Sequence, residues 1–106
     1  MPAPPARVTK GGSDVSVDTE VLRLREEGRS YAAVARLVHL ERAHEAHAAF
    51  VRALRRRPHD EQAGLIDRER SRLDQLEVKI RDRDRDDPTR LARRLAAVER
   101  LRSAVS

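Results

Sequence analysis

Residues 18–57 read DTEVLRLREEGRSYAAVARLVHLERAHEAHAAFVRALRRR, and the fold turns on how this stretch is divided. Asp18 stands ahead of an apolar run, where a carboxylate can cap the free N–H groups of a first helical turn, and Val17 is placed to pack on Leu22 as a hydrophobic staple. Val21, Leu22 and Leu24 give that helix an apolar side. Gly28 suits the left-handed position that stops a helix. Ser30 then caps a second, short helix, Tyr31 to Val38, with Val34, Ala35, Leu37 and Val38 facing inward. A turn over His39 to Glu41 leads to a third helix from about Arg42 to Arg57, in which Ala43, Ala46, Phe50, Ala53 and Leu54 recur at helical spacing as a buried side. Its opposite side carries Arg42, His44, Glu45, His47, Ala48 and Arg52. Pro58, which has no N–H to donate, ends it.

Outward from this stretch the chain changes character twice. Residues 1–17 are rich in Pro, Gly and Ala, have no hydrophobic period, and read as a disordered tail from which Arg7 and Lys10 could trail along phosphate. Residues 58–106 read as two amphipathic helices. The first, Asp60 to about Asp84, has an interrupted stripe of Leu65, Ile66, Leu73, Leu76 and Ile80, with Arg70–Asp74 and Glu77–Arg81 at salt-bridging spacing. Asp87-Pro88 is a helix start, aspartate at the cap and proline at the first helical position. The second helix, Pro88 to about Ala104, puts Leu91, Leu95, Val98 and Leu101 on one face. Joined by a tight polar turn, the two predict an antiparallel helical hairpin. A stripe this narrow is expected to pack on another subunit, so the hairpin reads as an oligomerisation element. The fold expected is all-α, three helices at 18–57 followed by a hairpin at 58–106.

Composition limits the function. Hydrophobic and charged residues are each 39% of the 106 residues, and Tyr31 and Phe50 are the only aromatics. That mixture fits exposed helices around a small core rather than a sheet. The net charge is +5, distributed as +1 over residues 1–17, +3 over 18–57 and +1 over 58–106. The excess lies in the three-helix stretch and is densest at Arg52, Arg55, Arg56 and Arg57, which suits a polyanionic partner. There is no cysteine, hence no disulfide or thiolate site. No segment reaches the about 20 apolar residues of a membrane span, and the N-terminus lacks the apolar core of a signal peptide. A cytoplasmic protein with no membrane partner is expected.

Catalytic and metal chemistry find little support. His44 and His47 in AHEAHAAF are three residues apart, whereas a helical zinc site of the HExxH type needs four. His59 follows Pro58 as a loop residue. The carboxylates have basic neighbours at helical spacing and no apolar pocket to shift them. Gly11-Gly12 does not open a strand-to-helix phosphate loop. Neither an enzyme nor a bound cofactor is expected.

A capped short helix, a turn, and a third helix with a polar face and basic end form the pattern of a helix-turn-helix, which sets one helix in the major groove of double-stranded DNA. The N–H groups at Ser30 and Tyr31 could hold a phosphate. Arg42, His44 and His47 are candidates for base edges, and Arg52, Arg55, Arg56 and Arg57 for the backbone. A dimeric helix-turn-helix transcriptional regulator and a helical protein–protein adaptor are the alternatives.

The run LREEGRSYAAVARLVHLERAHEAHAAFVRAL is also similar to the N-terminal helix-turn-helix of phage terminase small subunits. Its matching positions are Leu24, Gly28, Ser30, Tyr31, Val34, Ala35, Val38, Leu40, Ala46, Ala49, Phe50, Ala53 and Leu54. The likeness continues at Glu69, Arg72, Leu73, Asp74 and Leu76, and again at Asp87, Pro88, Leu91, Leu95, Glu99 and Arg100. The resemblance implies a non-enzymatic DNA-recognition subunit that binds viral DNA near the packaging start, assembles through helical segments into a ring rather than a dimer, and delivers DNA to a separate large terminase ATPase/nuclease. The sequence departs from that pattern where His39 replaces the turn glycine and where Glu41 and Glu45 replace neutral polar residues.

Overall fold

Two residues with positive φ articulate the first half of the chain, Gly28 at +96° and His39 at +63°. The computed structural model describes residues 15–106. These are all-helical: α1 (Val15–Glu26), α2 (Tyr31–Leu37), α3 (Ala43–Arg56), α4 (His59–Arg83) and α5 (Pro88–Ala104), with no strand among the described residues. The tail expected over residues 1–17, with Arg7 and Lys10, lies outside the described residues except for its last three, which are helical.

Gly28 and His39 do the same work at the ends of α1 and α2. The Gly28 N–H donates to the Arg25 carbonyl at 2.9 Å, and the Arg29 N–H donates to the Leu24 carbonyl at 3.4 Å. In α2 the His39 N–H donates to the Arg36 carbonyl at 3.3 Å, and the Leu40 N–H to the Ala35 carbonyl at 2.8 Å. This nested pair of bonds closes a helix around one left-handed residue. Glycine adopts that conformation freely; a side chain there costs roughly 1–2 kcal/mol. His39→Gly is therefore expected to stabilise the protein by about 1 kcal/mol, part of the relief being offset by the extra freedom of glycine in the unfolded chain. Urea denaturation checks this. A loss of stability would mean that the exposed imidazole makes a contact worth more than the strain.

The start of α1 corrects the sequence reading. The helix begins at Val15, not Asp18, and the Thr19 hydroxyl donates back to the Val15 carbonyl at 2.8 Å. Asp18 is thus no cap, and Val17 lies within the helix rather than ahead of it as a staple. α4 likewise begins at His59, which is helical rather than a loop residue, with Asp60 and Glu61 in the first turn. There their charges favour the positive end of the helix dipole.

The chain divides into two compact units, one ending at Pro58 and one spanning His59–Ser106. In the first, α1 and α2 both pack against α3. The buried apolar side chains are Val21 and Leu24 of α1, Tyr31, Val34 and Ala35 of α2, and Ala46, Ala49, Phe50, Ala53 and Leu54 of α3. Small residues along α3 let the other helices approach closely around Phe50. Four expected core residues lie outside it: Leu37, the last residue of α2, is 50% exposed, Ala43, the first of α3, is exposed, and Leu22 and Val38 are half-buried.

In the second unit α4 and α5 are joined by residues 84–87. Asp87 caps α5 with Oδ1, accepting the Arg90 N–H at 3.1 Å, and Pro88 takes the first helical position. Leu73 and Ile80 of α4 form a core with Val98 of α5, and Leu91, Leu95 and Leu101 pack against it. These six side chains pack on one another within the chain, as the two facing stripes of a hairpin, and Leu91, Leu95 and Leu101 remain half-buried. Of the rest of the expected stripe, Leu65 is buried, Ile66 half-buried, and Leu76 exposed. Arg102 of α5 ties the pair together, donating to Asp74 at 2.8 Å and Glu77 at 2.6 Å on α4, and also to Glu99. Hydrogen bonds from Arg102, then Arg81, hold the Glu77 carboxyl below its ordinary range.

Candidate nucleic-acid interface

An α-helix advances 100° per residue, so residues spaced i, i+4, i+7, i+11 share a ridge. On α3 that ridge is His44, Ala48, Val51 and Arg55; His44, Ala48 and Arg55 are exposed and Val51 is half-buried. The opposite side is fully taken up by the core, which fixes the direction the ridge faces. Arg42, extended and exposed just ahead of the helix (φ −134°, ψ 151°), stands at its head.

The acidic residue that looked unfavourable for binding a polyanion has a local task. Glu45 Oε1 accepts the backbone N–H groups of Glu41 at 2.9 Å and Arg42 at 3.0 Å. These donors at the start of α3 have no partner within the helix, and a carboxylate there is also favoured by the helix dipole. Ser30 serves α2 in the same way, its Oγ accepting the Ala33 N–H at 3.1 Å. Its hydroxyl is therefore a structural cap.

Two other residues of the expected interface have side chains packed on the core, although for Tyr31 the expected contact is through its backbone N–H and not its ring. The Tyr31 ring is buried and meets His47 and Phe50 edge-on, with ring centroids 5.1 and 5.9 Å apart. The Arg25 guanidinium lies 4.0 Å from the Tyr31 ring centroid and donates to the Arg29 carbonyl at 2.9 Å. His47 is half-buried against Tyr31, on the flank of the ridge rather than its crest. Edge-to-face packing of this kind contributes about 0.5–1.5 kcal/mol per pair beyond area burial. The Tyr31 ring thus supports the unit from inside, and His47 packs against it from the half-buried flank.

The largest departure concerns the arginine run. Arg52 gives Asp18 two hydrogen bonds, Nε to Oδ2 at 2.9 Å and Nη2 to Oδ1 at 3.0 Å. Arg56 adds a third, Nη1 to Oδ2 at 2.7 Å. The Asp18 side chain is 0% exposed, those of Arg52 and Arg56 31% and 39%. Hydrogen bonding to the Asp18 carboxylate keeps the Arg52 pKa above its ordinary value, against the opposing effect of burial. This cluster fastens α1 to α3 across 34 and 38 residues of sequence. Removing the cations from such a site strands a buried charge and costs about 3–5 kcal/mol. Arg52 and Arg56, placed on the DNA backbone by sequence, are held by Asp18 instead.

Arg55 and Arg57 remain at the surface near the end of α3, and Arg36 is exposed in the last turn of α2. Sequence reading passed over Arg36; the signal was its place opposite Val34 and Ala35 on a helix whose inner face they fill. Among the described residues no cluster of three or more His, Cys, Asp or Glu is arranged for a metal ion, and no helix is long and apolar enough to cross a membrane. No family model, curated protein or solved structure matches the chain.

Proposed function

We propose that α2, the turn at His39 and α3 act as a helix-turn-helix that binds double-stranded DNA, with α3 as the helix that enters the major groove. The observation that carries this reading is the ridge of α3: His44, Ala48 and Arg55 are exposed, Arg42 stands at their head, and the helix's other side is closed by the core. With 14 residues, α3 is about 21 Å long, ample for a groove roughly 12 Å wide. Arg42 and His44 are suited to base edges, the Ala48 methyl to a thymine methyl, and Arg36, Arg55 and Arg57 to phosphates. The capping role of Glu45 supports the same reading, since its charge is directed at backbone N–H groups and not at the partner.

Within DNA binding, the terminase small subunit is the family reading we favour: a viral packaging subunit that presents DNA to a separate ATPase/nuclease. His39 supports it by taking the left-handed conformation at the position where that family carries glycine. Grip by each copy is modest, so function as a multi-copy assembly follows, because several weak contacts act together. Leu76 and Val78, 38% and 68% exposed on α4, are apolar side chains available to such an assembly.

The test is anisotropy of a labelled duplex titrated with the full chain over a salt series. Arg55→Ala/Arg57→Ala is expected to weaken binding to every sequence and to make the salt slope shallower by about 2, whereas Arg42→Ala or His44→Ala should alter sequence preference. Absence of salt-dependent binding by the parent would discard the DNA reading in favour of a protein-binding adaptor. A strict dimer in solution would favour a transcriptional regulator over a packaging ring.

A further inference from the structure

We infer that Asp18 withholds Arg52 and Arg56 from phosphate and so sets how strongly the protein binds DNA regardless of sequence; the inference rests on the DNA-binding reading above. Arg52 lies one turn beyond Ala48, on the flank of the exposed ridge, and Arg56 one turn beyond that. Turned outward, both would add to the phosphate grip. Arg52 instead presents Asp18 with its Nε–Nη2 edge, at 2.9 and 3.0 Å, an edge with which an arginine can make a two-point contact to phosphate. Arg56 commits Nη1 at 2.7 Å.

Exposure decides which anion wins. Both guanidiniums are reachable from solvent, but the carboxylate is not. An arginine that leaves for a phosphate deserts a carboxylate that water cannot reach. One phosphate contact strengthens binding roughly tenfold at 0.1 M salt. Stranding a buried charge disfavours the folded state by more than about a hundredfold. The clamp therefore holds in the presence of DNA, and the working phosphate contacts are the arginines outside it. Free of the clamp, the protein would bind any DNA more tightly and discriminate less.

The experiment uses the full chain and duplexes of unrelated sequence. Asp18→Asn is expected to tighten binding to all of them by about ten- to a hundredfold at 0.1 M salt and to steepen the salt slope by about 1 to 2, one for each arginine that reaches phosphate. An unchanged slope, or weaker binding, would show the carboxylate to be structural only and overturn the inference. Should Asp18→Asn not fold, the triple variant Asp18→Leu/Arg52→Met/Arg56→Met replaces the cluster with apolar side chains, a change that buried ion pairs often tolerate. It is expected to keep the parent's salt slope and its affinity to within about threefold. A slope shallower by about 2 would mean that both arginines already touch phosphate, which also overturns the inference. A parent that shows no salt-dependent binding removes the DNA reading itself, and the clamp's role with it; a parent that binds while its variants fail these expectations removes this inference alone.

Discussion

The double variant Arg52→Ala/Arg56→Ala is expected to lose about 3–5 kcal/mol of stability, enough to unfold the first unit. The carboxylate these arginines neutralise is 0% exposed, so without them Asp18 is left buried with no guanidinium beside it. A unit of some forty residues has only about 2–6 kcal/mol to lose. Far-UV circular dichroism under urea denaturation measures the effect. The converse change should be milder, because the guanidiniums are one-third exposed and water can solvate them once Asp18 becomes asparagine. This asymmetry identifies the cause: burial of the anion, and not loss of an ion pair as such. If Asp18→Asn cost as much as the double arginine variant, the pairing itself would be the dominant contribution. A loss of less than about 1 kcal/mol in the double variant would mean that the pair contributes no more than a solvent-exposed surface ion pair.

The Asp18 cluster also shows where sequence reading fell short and why. An aspartate just before an apolar run satisfies the rule for a helix cap, and in the same chain Asp87 before Pro88 obeys that rule in full. What separates the two is spacing. Asp18, Val21 and Arg25 stand at i, i+3 and i+7, and all three are buried on one face of α1. A search for apolar periodicity skips charged residues, so it leaves this face incomplete. Nothing local names the partners, which arrive from α3. The run Arg55–Arg57 with Arg52 misleads for a related reason: charge that is dense along the sequence is spread around a helix, so neighbours in the chain face different surroundings. Turns and stops were easier to read, because Gly28, Pro58 and Asp87-Pro88 act through their own backbone. His39 lay between these cases. Only the resemblance points to glycine at this position, and the sequence supplies an imidazole that takes the left-handed conformation all the same.

Leu73→Ala is expected to cost about 2–5 kcal/mol and to open the α4–α5 pair. Leu73 is fully buried in a core it shares with Ile80 and Val98, bordered by Leu91, Leu95 and Leu101. So few large side chains leave little to collapse into the cavity. The ion pairs of Arg102, which is half-buried and still reached by solvent, do not replace the lost apolar contacts of the core. Protein concentration decides what this core is for. A stripe satisfied within one chain gives a loss that is the same at every concentration, which is the expected result. A stripe shared between copies is stabilised by mass action, so its melting temperature rises as protein is added. Leu76→Ala is the control: at 38% exposure it should leave the stability of a single chain nearly unchanged, and a fall in solution mass in that variant alone would place contact between copies beside the core. A Leu73→Ala melting temperature that climbed with concentration would return the leucine stripe itself to an interface between copies.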